Sequence, residues 1–480
     1  MSKEYETVIG LEVHVELATR TKIFCGCSTA FGGAPNTHSC PVCSGMPGSL
    51  PVLNKQVVEY AMAVGLAAHC EINRNCKFDR KNYFYPDNPQ NYQISQLYEP
   101  ICRNGWIEIE KKDGEKKKIR IHEIHMEEDA GKLVHDTWSD TSYVDFNRSG
   151  VPLIEIVSEP DMRDADEVIA YLEQLRMIAQ YIGASDCKLQ EGSMRADVNL
   201  SVREKGSETL GTRTETKNLS SFRAISHMID GERARQIDLL ESGQPVVQET
   251  RHWNEDKETS YAMRSKENAQ DYRYFPDPDL PPIHISDEWL QRVKDSLPEL
   301  QPQKQQRYID AYGLPAYDAS ILTGSKRLAD LFEETVALGA NPKKVSNWLM
   351  VETLRLVKEK SMDPQDIRFS ARHLADLIQM VEDGTVNNQV AREVFEKIFT
   401  DDMDPVQYVK ENGLASVNDA GALEEAVRRA LQNNPNVVQQ YKEGKTKVVG
   451  FLVGQVMKEM KGKANPAKVN ELIGKLIQEY

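Results

Sequence analysis

Acidic and histidine residues recur on three short segments in the first third of this 480-residue chain. The segments cover residues 10–16, 122–129 and 153–159. In the first and third, polar and apolar residues alternate as in a β-strand, so Glu12 and His14 should project from one face. Carboxylates in a row repel one another unless a cation lies among them. A divalent metal ion is the natural counter-charge, and a metal beside open space favours phosphate chemistry.

Four cysteines form a second set of candidate metal ligands. Cys25 and Cys27 are separated by twelve residues from Cys40 and Cys43. Two close pairs of thiolates suit a tetrahedral Zn²⁺ ion, and this zinc would be structural because four thiolates leave no open position. A C-x-C pair is less typical than C-x₂-C, so four independent thiols stay an alternative, and His38 is an alternative ligand. Eight cysteines in all are too few for a disulfide scaffold.

The elements that must position these residues change in type along the chain. Up to about residue 282, short alternating segments such as 106–110 and 197–202 mix with helical patterns such as 55–68 and 164–181. This mixture predicts an α+β domain with a mainly antiparallel sheet. Beyond the proline-rich segment 275–282, apolar residues follow helical spacing instead.

The sequence therefore predicts three domains. Residues 1–284 should form the α+β domain, which carries the candidate metal ligands and includes a zinc knuckle at residues 25–43. Residues 285–403 form a helical bundle, and residues 404–480 form a small helical tail domain.

Composition and charge limit the function classes. Apolar residues make up 40% and charged residues 28%, values typical of a soluble globular protein. We find no secretion signal and no apolar run that could span a bilayer, so we predict a cytoplasmic protein without membrane association. The net charge of −15 argues against nucleic-acid binding by the whole surface.

Positive charge is concentrated in the tail. Residues 441–480 contain eight lysines and four acidic residues. Seven of the lysines fall on the predicted helices and the loop between them: Lys442, Lys445, Lys447, Lys458, Lys461, Lys463 and Lys468. This tail could contact a polyanion, although a solvated helical face is the alternative.

Several long motifs resemble the B-subunit family of bacterial tRNA-dependent amidotransferases. They occupy residues 8–14, 77–87, 125–132, 144–157, 271–276 and 450–455. The match covers nearly the whole chain. The chain lacks the extra inserted domain of the archaeal relatives, so we prefer the bacterial type of B subunit. We also find no Walker-type phosphate loop, which indicates that any nucleotide is held by another kind of site.

The resemblance implies an activity and partners. In this family an amidase A subunit releases ammonia from glutamine, and a small C subunit completes the heterotrimer. The B subunit uses ATP and Mg²⁺ to phosphorylate the side-chain carboxylate of misacylated Glu-tRNA(Gln) or Asp-tRNA(Asn), and ammonia then displaces phosphate. The enzyme is a ligase that forms a carbon–nitrogen bond with glutamine as amido donor. The chain lacks the lysine and paired serines of an amidase, in agreement with this division of labour.

The same resemblance assigns site residues. It implies that the Mg²⁺ ligands are Glu12, His14, Glu127, Glu128 and Glu155, and we expect Glu12, His14, Glu128 and Glu155 to be catalytic. Imidazole is an unusual Mg²⁺ ligand. Either His14 donates a hydrogen bond to a metal ligand without binding the metal itself, or the site accepts Mn²⁺.

Basic residues complete the predicted site. Arg80, Lys81 and Lys132 could pair with phosphate oxygens, although an exposed surface role is at least as common for such residues. Arg195 and Lys217 come from two segments, 193–199 and 216–222, that resemble pocket-lining segments of the family. We predict that all five residues bind the cofactor.

Two other functions remain open at this stage. The chain could be a zinc-stabilised scaffold that docks tRNA without chemistry, or a metal-dependent enzyme that acts alone on a small metabolite. The glutamates on the predicted sheet argue against the scaffold, because a surface for a polyanion would not present carboxylates.

Overall fold

The computed structural model describes residues 3–136, 138–217, 219–255, 257–265, 269–415, 420–442, 445, 448–460, 464 and 466–480. The chain divides into two compact units, Met1–Leu300 and Gln301–Tyr480. The first unit combines strands and helices, whereas the described part of the second unit is helical. The predicted α+β fold class with a helical C-terminal region is confirmed.

Strands of the first unit lie mostly before residue 160. They are β1 (Tyr5–Glu16), β2 (Glu71–Ile72), β3 (Asn75–Cys76), β4 (Asp79–Asn82), β5 (Tyr92–Ser95), β6 (Cys102–Glu110), β7 (Lys116–Glu128), β8 (Lys132–His135), β9 (Ser142–Asp145), β10 (Pro152–Ser158), β11 (Met194–Glu204), β12 (Thr214–Lys217), β13 (Glu249–Asn254), β14 (Thr259–Ser265), β15 (Phe275–Pro276) and β16 (Ile283–His284). Its helices are α1 (Lys55–Ala67), α2 (Ala165–Ile182), α3 (Phe222–Glu241) and α4 (Asp287–Asp295).

A nine-stranded sheet organises the first unit. Its order is β14-β13-β12-β11-β1-β10-β7-β6-β2, and every neighbouring pair is antiparallel except β12 and β13. Smaller sheets join β15-β4-β5, β16-β3 and β8-β9. The long strand β1 lies near the middle and pairs with β10 on one side and β11 on the other. Residues from distant parts of the sequence therefore become neighbours on this sheet.

Alternation along the strands gives the large sheet an apolar and a polar face. On β1, the side chains of Leu11, Val13 and Val15 are buried in the main hydrophobic core. Core residues of α1, α2 and α3 belong to the same cluster, so the helices cover this face. Glu12 and His14 occupy the alternate positions on the other face, which we call the polar face.

Helix α2 shows how local sequence sets the elements. The Asp164 side chain accepts a hydrogen bond from the Glu167 N–H at the start of the helix, and Gly183 ends it in the left-handed conformation, with φ of 76°. Between these ends, the predicted stripe places Val168, Leu172 and Leu175 in the core.

The second unit consists of helices joined by short connections. They are α5 (Gln301–Tyr312), α6 (Ala316–Thr323), α7 (Lys326–Ala337), α8 (Pro342–Asn347), α9 (Leu354–Glu359), α10 (Ala371–Glu382), α11 (Asn388–Asp401), α12 (Pro405–Glu411), α13 (Ala420–Asn433), α14 (Pro435–Lys442), α15 (Val449–Glu459) and α16 (Pro466–Leu476). A π-helical turn, Trp348–Thr353, joins α8 to α9. Among the described helices, none is both long and apolar enough to cross a membrane.

Each of the predicted domain boundaries, at residues 284 and 403, separates a helix from one or more helices that it contacts. Helix α4 packs against α1, where the Trp289 indole N–H donates to Glu59 at 2.9 Å. Helix α12 packs against α10 and α11. A separate core in the last 60 residues includes Leu423, Val427, Leu452, Val456 and Ile473.

Helix α1 approaches the sheet closely at Gly65, and this contact generates a stability prediction. A methyl group at Gly65 would overlap the Cys102 Sγ atom of β6. We expect Gly65→Ala to lower the free energy of unfolding by about 1–3 kcal/mol, as overpacking does in cores. Cys102→Ala removes the sulfur atom. The double variant Gly65→Ala/Cys102→Ala should therefore lose less free energy of unfolding than the sum of the losses in the two single variants.

Gly231→Ala is the matched control for this prediction. Gly231 lies in helix α3 and a methyl group there would meet only Trp253, at an ordinary 3.6 Å. We expect this variant to be neutral or more stable by up to about 1 kcal/mol. Thermal unfolding of the full chain measures the original protein and the four variants, and equal effects at positions 65 and 231 would contradict the close approach.

Candidate active site

Four neighbouring strands place ionisable residues in one row across the polar face. In the register of the sheet, His14 on β1 pairs with Glu155 on β10 and with Arg195 on β11. Glu155 in turn pairs with His125 on β7. Directly paired residues of adjacent strands share a face, so these four side chains stand side by side.

Glu127, which lies beside this row on β7, converges with His14 and Glu155. The His14 Nε2 atom lies 3.5 Å from Glu127 Oε1 and 3.4 Å from Glu155 Oε2. The His125 Nε2 atom approaches Glu155 Oε2 from the other side, at 3.1 Å. One ligand atom from each of His14, Glu127 and Glu155 can be chosen so that all lie within 4.8 Å of one another. Two carboxylates and one imidazole fit a divalent cation such as Mg²⁺ or Mn²⁺.

Charge in this set is strongly coupled. Removal from water disfavours protonated His14, but Glu155 and Glu127 outweigh that effect and raise the pKa of His14 to about 9. Burial likewise disfavours charged Glu155, yet His14 and His125 hold its pKa well below the ordinary value. The positive charges of the two protonated histidines therefore balance the negative charges of the carboxylates. A bound divalent cation would supply the same positive charge.

A second acidic set adjoins the first. Glu12, Asp197 and Glu215 also offer ligand atoms within 4.8 Å of one another. The Asn199 side-chain amide donates to Glu12 at 3.0 Å, and the Lys217 Nζ atom lies 2.6 Å from Asp197 and 3.4 Å from Glu215. These residues come from β1, β11 and β12, so strand pairing assembles this set as well.

A cavity of about 490 Å³ is lined by part of each set. Its wall includes His14, Glu127, Asp197 and three basic residues, Lys81, Arg195 and Lys217. Although burial opposes its charge, Tyr274, Glu127 and Glu155 raise the pKa of Lys81, which stays protonated. The Arg195 guanidinium donates to Asp129 at 2.8 Å. Carboxylates for a metal and cations for an anion therefore face one space, an arrangement that suits a metal–phosphate complex.

Three of the predicted site residues belong neither to the two acidic sets nor to the cavity wall. Glu128 follows Glu127 on β7 and points to the opposite face, where it accepts from the Ile94 N–H at 3.0 Å and the Gln90 amide at 2.9 Å. Burial raises the pKa of Glu128 to about 8. The structure thus brings Glu127, rather than Glu128, to His14, because successive strand residues alternate between faces.

Arg80 and Lys132 are also separated from the cavity wall. Arg80 binds Asp277 at 2.8 Å and Asp279 at 2.7 Å, and its guanidinium lies 4.1 Å from the centre of the Tyr92 ring. This network fastens β4 to the segment after β15. Lys132 is exposed on the β8–β9 hairpin. Of the three basic residues predicted from sequence at positions 80, 81 and 132, the structure brings Lys81 alone to the cavity.

Sequence reasoning missed several residues of the site. His125 and Asp129 lie within the motif at 122–129 but received no role, and Asp197 and Glu215 were not singled out. Asp197 follows Arg195 by two positions in a strand-like segment, and this spacing was a usable signal. Glu215 carried no such signal, since its place depends on pairing with a strand sixteen residues earlier.

The four knuckle cysteines converge as predicted. Their Sγ atoms all lie within 4.8 Å of one another, and those of Cys40 and Cys43 are 3.9 Å apart. Tetrahedral zinc with bonds of about 2.3 Å holds sulfur atoms about 3.8 Å apart, so the donor set fits Zn²⁺. His38 is not among the converging groups of the described residues, and its backbone N–H donates to the Asn147 side chain at 2.8 Å.

Two family models match this chain, one in each of its two compact units. Residues 7–291 match the model of the GatB/GatE catalytic domain, and residues 330–477 match the model of the GatB domain. The B subunit of the aspartyl/glutamyl-tRNA(Asn/Gln) amidotransferase of Agathobacter rectalis is 68% identical over 99% of this chain and 100% of its own length. This chain belongs to the family of amidotransferase B subunits.

Other amidotransferase B subunits agree over the same length. The protein of that name from Lachnospira eligens is 65% identical, and the one from Lachnoclostridium phytofermentans is 62% identical. Each alignment covers 99% of this chain and 100% of the relative. The family resemblance predicted from the sequence motifs is therefore confirmed.

The knuckle generates a testable prediction about metal content. Cys40→Ser should remove most of the bound zinc and lower the melting temperature of the first unit, because it opens a structural metal site. Metal analysis and thermal unfolding of the purified chain measure both effects.

Cys70→Ser is the control for the knuckle variant. Cys70 is more deeply buried than Cys40 but lies outside the cluster. This variant should keep its zinc, even where it loses some stability through packing. If Cys40→Ser retains both its zinc and its melting temperature, the assignment of the knuckle is wrong.

Proposed function

We propose that this chain activates the side-chain carboxylate of misacylated Glu-tRNA(Gln), Asp-tRNA(Asn) or both, by phosphoryl transfer from ATP, for amidation by glutamine-derived ammonia. It would act in a heterotrimer with an amidase A subunit and a small C subunit, as a ligase that forms a carbon–nitrogen bond. The observation that carries this proposal is the cavity where His14 and Glu127 face Lys81 and Arg195, with Glu155 in contact with His14. Its place in translation puts the protein in the cytoplasm.

The chemistry of the reaction explains why such a site is needed. A carboxylate is a poor electrophile for an amine, and an acyl phosphate supplies the missing leaving group. Mg²⁺, held by His14, Glu127 and Glu155 and by the adjoining set around Glu12, would offset negative charge on the transferred phosphoryl group.

The chain's own cations have separate tasks in this scheme. Lys81, Arg195 and Lys217 line the cavity and would hold phosphate oxygens of the nucleotide. In the structure each of them faces carboxylates instead, as Arg195 does with Asp129 and Lys217 with Asp197. Phosphate binding would thus exchange one anionic partner for another. That exchange costs less than burying a cation with no partner.

The scaffold alternative gives the carboxylates of the polar face no task. The Glu127 side chain is 3% exposed and the Glu155 side chain 13% exposed, each close to a histidine. Burial of such groups is costly, and a protein that merely docks tRNA gains nothing from it. An enzyme that acts alone on a small metabolite would use the cavity but would leave the basic tail without a role.

We further propose that residues 404–480 contact the tRNA body. Described tail lysines include Lys442, Lys445, Lys458 and Lys468, whereas Lys447, Lys461 and Lys463 lie outside the described residues. Lysine contacts with phosphates are sensitive to salt and insensitive to base sequence. The separate core of α13, α15 and α16 supports a domain that presents these lysines on its own.

Glu127→Gln tests the catalytic proposal. In the complete complex, this variant should lower tRNA-dependent ATP hydrolysis more than about 100-fold, because it removes a charged metal ligand. Affinity for tRNA and glutamine hydrolysis by the A subunit should stay within about twofold of the original. Phosphate release, filter binding and glutamate release measure ATP hydrolysis, tRNA affinity and glutamine hydrolysis, respectively.

Glu128→Gln is the matched control, since it makes the same change one residue away on the opposite face. Its side-chain oxygen can still accept from Ile94 and Gln90. We expect ATP hydrolysis within about fivefold of the original enzyme. Equal losses of ATP hydrolysis in the two variants would contradict the assignment of the cavity. Activity on a small acid without tRNA would favour an enzyme that acts alone on a small metabolite.

Truncation tests the proposal for the tail. The chain should end at Ala415, because removal of α12 would disturb α10 and α11. Loss of the tail should weaken tRNA binding at least tenfold and reduce its dependence on salt, because phosphate contacts disappear. Unchanged affinity across a salt titration would remove the tail from tRNA recognition, while the melting temperature of the first unit serves as the control.

A further inference from the structure

Lys22 is a completely buried lysine beside the zinc knuckle. It lies between β1 and the first cysteine pair, and its relative exposure is 0%. The Nζ atom donates to the His38 carbonyl at 2.7 Å and to the Phe146 carbonyl at 3.3 Å, and it lies 3.4 Å from the Cys43 Sγ atom. The ammonium group is therefore directed into the knuckle.

A buried ammonium requires a negative partner. Two carbonyl oxygens can satisfy its protons, but they do not neutralise its charge. Among the described residues, no Asp or Glu oxygen lies within 4.0 Å of the Lys22 Nζ atom, the distance limit of an ion pair. Cys43 is thus the group in contact with Lys22 that can carry a negative charge, provided that its sulfur is a thiolate.

The metal site has the opposite problem. Zn²⁺ with four thiolates carries a net negative charge, and the knuckle is half-buried or buried at each cysteine. Polar groups close to metal-bound ligands orient them and adjust the affinity for the metal. A fixed positive charge next to one sulfur would offset part of the excess negative charge.

We propose that Lys22 is the built-in counter-cation of a four-thiolate metal site, and that its charge strengthens metal binding by the knuckle. It is a positioning residue, because it would act through Cys43 and not by touching the metal. The proposal is independent of the amidotransferase reaction, so its failure and the failure of the proposed function can be told apart.

Two variants separate charge from hydrogen bonding. Lys22→Met keeps the apolar stem and loses the charge, whereas Lys22→Gln loses the charge but keeps an amide donor for the carbonyls of His38 and Phe146. We expect both to weaken Zn²⁺ binding by the full chain roughly 10- to 100-fold in competition with a chromophoric chelator. Lys112→Met, at a lysine side chain that is 80% exposed, makes the same change in charge and should have no effect.

Thermal unfolding with and without metal distinguishes a metal-linked role from packing. In the zinc-loaded chain, loss of Lys22 should lower the melting temperature. In the metal-free chain the same loss should lower the melting temperature by clearly less, because the excess negative charge of a four-thiolate zinc site is then missing. Cobalt substitution should still give the sulfur-to-metal charge-transfer band of four thiolates in the variants.

Several outcomes would overturn the proposal. One is a zinc affinity of Lys22→Gln within twofold of the original, because hydrogen bonding would then account for the whole contribution of Lys22 to zinc binding. Another is equal destabilisation of the metal-free and zinc-loaded forms. Failure of both variants to fold in excess zinc would assign Lys22 to the fold alone and would count equally against it.

Discussion

The balance of charge on the polar face of the central sheet is the constraint on which the site depends. Glu155 lies on β10, between β1 and β7, and both neighbours present a histidine to it. Main-chain hydrogen bonds fix the spacing of these strands, so the side chains cannot move apart to relieve repulsion. A positive charge must therefore reside there, whether it is carried by protons on His14 and His125 or by a divalent cation.

The knuckle connects this constraint to the rest of the first unit. The loop at residues 146–150, which leads into β10, is held from the knuckle side by several hydrogen bonds. Ser149 donates to the Cys43 carbonyl at 3.0 Å, and the Ile23 N–H donates to the Gly150 carbonyl at 3.0 Å. A structural metal would thus stabilise the start of the strand that carries Glu155, without taking part in the reaction.

The sequence predicted most where the signal is local. Alternation on β1 placed Glu12 and His14 on one face, and cysteine spacing was sufficient to predict the knuckle. The segment 122–129 has no clear alternation, so nothing local indicated whether Glu127 or Glu128 would face the cavity. Glu215 joins Glu12 and Asp197 through pairing of β11 with β12, and such long-range register is not encoded in any short pattern.

Two lysines show how surroundings decide between a structural and a binding role for the same residue type. Lys22 is closed off from solvent, with carbonyl oxygens and a cysteine sulfur around it, so no ligand can replace its partners. Lys81 faces the carboxylates of an open cavity and lies 5.0 Å from the centre of the Tyr272 ring. Because an incoming phosphate can reach Lys81 and share its charge, that lysine can serve binding, whereas Lys22 can serve only the structure around it.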